Sequence, residues 1–333
     1  MSFSLPFWSP AHADAILFDW DGIIAETRLD FSGIREKYYG ARRAMLLEDA
    51  RTLAPESRAG LMRDLEELEM RGARDAHPVP GISEVLGWVR SHKIPWAVVS
   101  RNCRGSIMEA ARNIAVELPR VVRSRDDGTS VKPDPAALLE TCRELGVPPS
   151  RTLLLGDYIY DMIGARRAGM RGALVRKRSE PDWEPWLELS YSSMDELYRE
   201  LVSPSDITPW EYQEVCRGHG REFLRFAHKT ALRLPADPAP DICAWLVRAA
   251  SLGVGAFVVP DAELSPESWR KNQSFDPACM GLRLQDAIRS FLEVRYPFAS
   301  VLGDGGRGVD APEDARELEA FMTGLADGGR ACG

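Results

Sequence analysis

The chain has 333 residues, of which 44% are hydrophobic and 28% are charged, and its formal net charge is −8. This composition is typical of an ordinary globular protein, and the length allows two or three folded units. The acidic balance argues against a nucleic-acid partner, because a duplex-binding surface needs a basic stripe to neutralise phosphates. A phosphorylated small molecule is still compatible with it, since a local basic site can exist within an acidic protein.

The cysteines are scattered, and no two of them form a Cys-x-x-Cys pair. This spacing favours reduced thiols over a zinc ribbon or a redox motif. The N-terminus lacks the basic start and apolar core of a signal peptide, and no segment reaches the roughly 18 apolar residues of a membrane span. We therefore expect a soluble, cytoplasmic protein with no membrane partner. The six cysteines are Cys103, Cys142, Cys216, Cys243, Cys279 and Cys332.

Strands alternate with helices from residue 15 to about residue 202. The first strand, 15–18, is a short apolar run of the kind that forms a fully buried parallel strand. This alternation predicts an α/β fold built on a doubly wound, parallel, Rossmann-like sheet. Further strands are predicted at 96–100, 121–123, 152–155 and 172–175, with helices at 82–91, 106–115, 135–145, 161–168 and 194–201.

Residues 27–79 follow the first strand and contain no good strand candidate. Residues recur there at helical intervals in two stretches, one from Ile34 through Tyr38 to Met45 and the other from Leu61 to Leu68. Pro55 is placed to start the second helix. Two antiparallel helices inserted at this point predict a small helical cap.

The sequence pattern changes after residue 204. Helical stripes occupy 212–230, 284–292 and 315–325, and only 255–259 has the pattern of a strand. We expect a mainly helical appended domain, which is a candidate surface for a homo-oligomer or a protein partner. The predicted division is a catalytic core over 1–26 and 80–202, a cap over 27–79, and the appended domain over 205–333.

Four aspartates fall in two pairs at the ends of predicted strands. Asp19 and Asp21 follow the first strand, and Asp157 and Asp161 follow the strand 152–155. Ligands of open α/β sheets bind beyond the carboxyl ends of the strands, so neighbouring strands would bring all four carboxylates together. Such a cluster repels itself unless a cation relieves it. Oxygen-only ligands point to Mg²⁺, with all four aspartates as candidate ligands.

These residue types suit phosphoryl transfer. Asp19 can attack phosphorus to give an aspartyl-phosphate, which divides one hard step into two easier ones. Asp21 could protonate the leaving oxygen and later deprotonate the attacking water. Gly22 lets the chain turn sharply beside them.

Donors for the phosphate oxygens are also present in the sequence. Ser100 ends the second strand of the core and offers a hydroxyl, and Arg101 and Asn102 could add further donors. Lys132, before Pro133, supplies a compact positive charge for the phosphate and for Asp19.

The conjunction of these motifs, each at a strand end or the following helix start, resembles the haloacid dehalogenase-like hydrolase superfamily over residues 15 to about 202. The cap is similar to that of the superfamily's phosphoglycolate phosphatase-like branch. The resemblance implies the roles given above and adds the backbone carbonyl of Asp21 as a metal contact. The superfamily's true dehalogenases lack the second acid, so Asp21 argues against dehalogenation. The motifs that carry the resemblance are Asp19-Trp20-Asp21-Gly22, Ser100, Lys132-Pro133, and Gly156-Asp157 with Asp161.

We therefore predict a Mg²⁺-dependent phosphatase that hydrolyses a small phosphorylated metabolite, with specificity set by the cap. Two alternatives stay open: a phosphosugar mutase of the same fold, and a scaffold or interaction protein that acts through residues 205–333. The cap residues expected to touch the non-reacting end of the substrate are Arg28, Arg35, Lys37 and Tyr38.

Overall fold

The computed structural model describes residues 6–40, 42, 44–128, 130–175, 180–236 and 238–330. The chain divides into two compact units, one over Ala13–Pro204 and one that combines residues 6–12 with residues 205–330. The N-terminal residues thus group with the appended domain rather than with the core. Met1–Leu5 and Cys332 lie outside the described residues; the other five cysteines are free thiols.

The first unit alternates strands and helices, as the sequence predicts. Its strands are β1 (Ala15–Phe18), β2 (Ala25–Glu26), β3 (His77–Pro78), β4 (Trp96–Val99), β5 (Val121–Arg123), β6 (Thr152–Gly156), β7 (Arg171–Val175) and β8 (Leu189–Tyr191). Its helices are α1 (Ser32–Tyr39), α2 (Pro55–Arg74), α3 (Ile82–Ser91), α4 (Arg104–Asn113), α5 (Ala136–Leu145), α6 (Ile159–Ala168) and α7 (Met194–Val202).

Six strands form a parallel sheet in the order β5-β4-β1-β6-β7-β8. Strand β1 lies inside this sheet, all four of its residues are buried, and Phe18 pairs with Val98 on one side and Leu155 on the other. The predicted α/β fold with a parallel Rossmann-like sheet is confirmed. Strand β8 was not predicted, because its sequence Leu-Ser-Tyr contains no continuous apolar run.

The segment after β1 leaves the sheet through a two-stranded ribbon in which Ala25 pairs with Pro78. Between β2 and β3 lie α1 and α2, which pack around a small apolar cluster that includes Tyr39, Leu61 and Leu65. Helix α1 ends at Tyr39, so the expected helical spacing as far as Met45 is wrong. The next residue, Gly40, has a φ of 60° and terminates the helix.

The second unit contains helices and its own parallel sheet, in the order β11-β10-β9-β12. The mainly helical region that the sequence predicts is present, but it holds four strands rather than one. The three strands that were missed have two or three residues each, too short for a recognisable apolar run. Its elements are α8 (Gln213–Lys229), β9 (Ala231–Arg233), α9 (Ile242–Ser251), β10 (Ala256–Val258), α10 (Pro266–Lys271), α11 (Leu284–Arg295), β11 (Ser300–Leu302), β12 (Val309–Asp310) and α12 (Leu318–Arg330).

The N-terminal residues are built into this second unit. Trp8 and Ile207 exchange backbone hydrogen bonds of 3.0 and 2.9 Å. The ring of Phe7 is fully buried, and the guanidinium carbons of Arg221 and Arg225 lie 4.0 and 4.9 Å from its centre. Phe7 therefore belongs to the same hydrophobic core as Leu232 and the other buried residues of this unit.

Across the described residues, no helix combines the length and the apolar character that a membrane crossing requires.

Gly255, just before β10, has no room for a side chain. A methyl group there would lie 1.8 Å from the backbone oxygen of His228 in α8. We expect Gly255→Ala to lower the free energy of unfolding of the second unit by about 2–3 kcal/mol, because backbone must move. Urea titration followed by tryptophan fluorescence measures this.

Gly218 provides the matched control for this substitution. It lies exposed in α8, and nothing occupies the space its methyl group would fill. Gly218→Ala should raise stability by up to about 1 kcal/mol through helix propensity. Equal effects of the two substitutions would contradict the packing argument.

Candidate active site

Strands β1 and β6 are neighbours, and both end at the same edge of the sheet. The backbone N–H of Asp19 donates to Leu155 O at 2.8 Å, which holds the start of the loop after β1 against β6. Carboxylate oxygens of Asp19, Asp157 and Asp161 all lie within 4.8 Å of one another. The structure thus brings together three of the four aspartates that the sequence singles out.

Lys132 lies at the centre of this cluster. Its Nζ is 2.8 Å from Asp19 Oδ1 and 2.6 Å from Asp161 Oδ1, and its side chain is 1% exposed. Burial alone would lower the pKa of Lys132, but the carboxylates of Asp161 and Asp19 outweigh that effect and raise it. The ammonium therefore stays charged and offsets part of the repulsion among the acids.

Asp161 is packed against the backbone at the end of β6. A methyl group on Gly156 would lie 2.2 Å from the Asp161 Cβ, so the glycine makes room for the aspartate. The Tyr158 N–H donates to Asp161 Oδ2 at 3.2 Å. Burial raises the pKa of Asp161 to about 6, although Lys132 acts in the opposite direction.

Asp21 lines the same cavity as Asp19 and Asp157 but does not belong to the group of three clustered aspartates. Its Oδ1 accepts hydrogen bonds from the backbone N–H of Thr27, at 3.1 Å, and from the Thr27 hydroxyl. Burial raises the pKa of Asp21, although these hydrogen bonds lower it in part. Thr27 thus orients the carboxyl group of Asp21, and burial makes this group a weaker acid than an exposed aspartate.

Gly22 allows the two aspartate loops to touch. It has a φ of 77°, and a methyl group on it would lie 2.3 Å from Asp157 Oδ2. Both the left-handed backbone and the missing side chain are required at this position.

Ser100 and Asn102 lie buried beyond the end of β4. The Ser100 N–H donates to Arg123 O at 2.9 Å, and the Asn102 N–H donates to Ser100 Oγ at 3.1 Å. The hydroxyl of Ser100 accepts one hydrogen bond in this arrangement and keeps its own proton to donate.

Arg101 has partners that the sequence does not reveal. Its guanidinium donates to both carboxylate oxygens of Glu48, at 2.6 and 3.0 Å, and to the backbone oxygen of Lys132. It also lies over the ring of Tyr160, 4.7 Å from the centre. The predicted phosphate donor is therefore engaged in a contact between the core and the segment between α1 and α2.

A second ion pair joins the cap helix α2 to the core. Arg125 donates to both oxygens of Glu69, at 2.5 and 3.0 Å, and the Cys103 N–H donates to Glu69 Oε2 at 2.8 Å. Sequence reasoning missed Glu69, Arg125 and Glu48. The partners are more than 30 residues apart, so no local spacing could have identified them.

A cavity of about 430 Å³ opens at these aspartates and extends towards the cap. Of the four cap residues expected to touch a substrate, only Arg35 is among the described residues that line it. Arg28 is exposed, and Lys37 and Tyr38 both contact Asp64 Oδ2, at 2.6 and 2.9 Å. The lining includes Asp19, Asp21 and Asp157 from the sheet edge, Leu29, Phe31, Arg35, Leu46 and Leu65 from the insert, and Tyr158 and Tyr160 from the start of α6.

Comparison with known proteins decides the family. The model of the haloacid dehalogenase-like hydrolases matches residues 16–175. Over 183 residues the chain is 31% identical to N-acetylmuramic acid 6-phosphate phosphatase of Pseudomonas aeruginosa, covering 49% of this chain and 81% of that protein. The chain belongs to the haloacid dehalogenase-like hydrolase family. The predictions of this family and of a hydrolase are confirmed.

Two further relatives are similar over the same share of the chain. N-acetylmuramic acid 6-phosphate phosphatase of Pseudomonas putida is 30% identical over 189 residues, with 49% of this chain and 82% of that protein covered. Phosphoglycolate phosphatase 1 of Pseudomonas aeruginosa is 24% identical over 202 residues, with coverage of 53% and 74%. The family match lies entirely within the unit Ala13–Pro204 and includes no residue of the second unit.

The donor set of this hydrolase fits a hard divalent cation. Asp19, Asp157 and Asp161 offer only oxygen atoms, and these lie close enough together to contact one ion. Asp19 and Asp157 are partly exposed to the cavity, whereas Asp161 is buried behind them. Oxygen ligands of this kind are those that Mg²⁺ prefers.

The ion pair between Glu69 and Arg125 should contribute strongly to stability. The two side chains are 2% and 12% exposed, so Glu69→Gln would leave a nearly buried guanidinium without its carboxylate. We expect this substitution to lower the free energy of unfolding by about 3 kcal/mol. Urea titration of the full chain measures the change.

Glu66→Gln is the matched control, because Glu66 lies exposed on the same helix. It should change stability by less than about 0.5 kcal/mol. An equally small effect at Glu69 would show that the pair between α2 and the core is not a strong contact.

Proposed function

We propose that this protein is a Mg²⁺-dependent phosphatase that hydrolyses a small phosphomonoester through an aspartyl-phosphate on Asp19. The observation that supports this most directly is the position of Asp19. Its carboxylate lines the cavity, contacts Lys132 at 2.8 Å and lies within 4.8 Å of Asp157 and Asp161. The phosphatase names of the relatives agree with this reaction.

Asp19, Asp157 and Asp161 would hold the metal ion, and the Asp21 backbone carbonyl stays a predicted further contact. When bound, the ion supplies positive charge that balances the carboxylates and the phosphate oxygens. Lys132 adds a fixed positive charge at the same place, since it is buried and paired with Asp19. The protein thereby prepares an electrostatically balanced site for a dianionic group.

Asp19 acts as the nucleophile in this proposal. Its Oδ1 forms a bond to phosphorus as the bond from phosphorus to the leaving oxygen breaks. Water then attacks the same phosphorus, inorganic phosphate leaves, and the Asp19 carboxylate is regenerated.

Asp21 serves as the acid and then the base. Its raised pKa favours the protonated form needed to donate to the leaving oxygen, and Thr27 fixes the orientation of the carboxyl group. The resulting carboxylate accepts a proton from the attacking water in the second step.

The transferred phosphate would be bound by the Ser100 hydroxyl, by Asn102 and by Lys132. Arg101 could join them only by giving up its contact with Glu48. The cytoplasmic location, the division of the first unit into core and cap, and the role of residues 205–333 stay predictions from the sequence.

Asp19→Asn should abolish the release of inorganic phosphate from p-nitrophenyl phosphate in the presence of Mg²⁺. We expect a loss of roughly 10³-fold or more, because the amide is not a nucleophile. Chelation with EDTA should likewise stop the wild-type reaction, and added Mg²⁺ should restore it. Measuring free phosphate also distinguishes hydrolysis from transfer to a second sugar hydroxyl.

Asp14→Asn is the matched control for this experiment. Asp14 lies just before β1, at the opposite end of the strand from Asp19, and pairs with Arg151 at 2.7 Å. Its substitution should leave the rate unchanged. Unchanged turnover in Asp19→Asn would refute the assigned nucleophile, and turnover insensitive to chelation would refute the metal.

Asp21→Asn should slow hydrolysis by roughly 10²- to 10⁴-fold for an alkyl phosphate, because the alkoxide leaves unprotonated. The loss should be much smaller for phosphorylation of the enzyme by p-nitrophenyl phosphate, since nitrophenolate needs no proton to leave. Rapid-quench measurement of p-nitrophenolate in the first turnover isolates this step. Equal losses for the two esters would contradict the role of Asp21 as the acid.

A further inference from the structure

Among the residues that the structure describes, three arginines line the cavity, and two of them already have carboxylate partners. Arg101 donates to both oxygens of Glu48, and Arg125 donates to both oxygens of Glu69. A carboxylate that satisfies a guanidinium in this two-pronged way leaves it little capacity to bind another anion. The third arginine, Arg35, differs from both.

No ion pair of Arg35 occurs among the residues that the structure describes. Its Nε donates to Ala44 O at 3.4 Å, which anchors the guanidinium at one end. Arg35 lowers the pKa of Asp30, but its effect is smaller than that of the hydrogen bonds from Ser32 to Asp30. The two terminal nitrogens of Arg35 are therefore available for a planar, two-pronged contact.

The surroundings of Arg35 make such a contact strong. Besides Arg35, the described insert residues that line the cavity are Glu69, whose charge is already paired with Arg125, and apolar residues that include Leu29, Phe31, Leu46 and Leu65. Attraction between opposite charges increases where water is partly excluded. A half-buried cation in this wall gains most from an anion that enters with the ligand.

We propose that Arg35 binds a second anionic group, a carboxylate or a phosphate, on the part of the substrate that is not transferred. This inference rests on the proposed phosphatase function and names the class of its substrate: a phosphomonoester with an anion at its other end. The cavity volume of about 430 Å³ is within the roughly 300–1,000 Å³ of small-molecule sites. Lys37 does not share this role, because it pairs with Asp64 and is not among the lining residues.

Three six-carbon esters of the same stereochemistry test the proposal. Glucitol 6-phosphate ends in a neutral hydroxymethyl group, 6-phosphogluconate ends in a carboxylate, and glucitol 1,6-bisphosphate ends in a phosphate. We expect kcat/KM of the wild-type protein to be about 10- to 100-fold higher for an anionic ester than for the neutral one, the range of one charged hydrogen-bonded contact. The better of the two anionic esters identifies the source of the charge.

Arg35→Met should remove this preference and leave the rate for glucitol 6-phosphate within about threefold, whereas Arg35→Lys should retain part of it. Lys37→Met, the matched control on the same helix, should keep the wild-type preference. Two results would overturn the inference alone, provided that the wild-type protein hydrolyses p-nitrophenyl phosphate. One is that Arg35→Met lowers kcat/KM equally for all three esters. The other is that the wild-type protein has the same kcat/KM for all three. A wild-type protein that does not hydrolyse p-nitrophenyl phosphate would overturn the proposed function and this inference with it.

Discussion

The contact of one buried lysine with two aspartates is the constraint on which the site depends. Lys132 lies within 2.8 Å of Asp19 and 2.6 Å of Asp161, and Asp157 lies beside them. Without a positive charge, carboxylates this close in a partly buried place would repel one another or take up protons. The lysine neutralises only part of the negative charge, because the cluster contains three aspartates and one ammonium. In the proposed function, the remaining negative charge would attract a cation, which in turn would attract a phosphate group.

Two ion pairs of different burial join the insert between β2 and β3 to residues that follow the sheet strands β4 and β5. Glu69 and Arg125 are almost fully buried, whereas Glu48 and Arg101 are each roughly a quarter exposed. An exposed pair contributes little to stability and exchanges partners readily, whereas a buried pair is costly to break. The Glu69 pair therefore fixes the position of α2. The pair of Glu48 and Arg101 is more exposed, so it contributes less to holding the insert in place.

The sequence predicted that the aspartates Asp19, Asp157 and Asp161 lie close together, but it did not reveal the hydrogen bonds and ion pairs around them. Asp19, Asp157 and Asp161 could be placed together because buried parallel strands end at one edge, and the apolar runs identified those strands. The turn of Asp21 towards Thr27 could not be predicted, since it depends on the path of the loop between them. Among the cap candidates, Arg35 lines the cavity whereas Lys37 does not. Residues two positions apart on a helix lie on different faces. The sequence does not show which of these faces borders the cavity, so coordinates were needed to distinguish Arg35 from Lys37.

The burial of Phe7 between Arg221 and Arg225 has a consequence for how the polypeptide matures. The second unit is discontinuous: its first segment leaves the ribosome before Ala13–Pro204, and its remainder leaves afterwards. Domains synthesised early generally fold early, so the hydrolase unit can become compact while the aromatic N-terminus still lacks its partners. The second core can therefore close around Phe7 only after helices beyond residue 204, such as α8, have been synthesised.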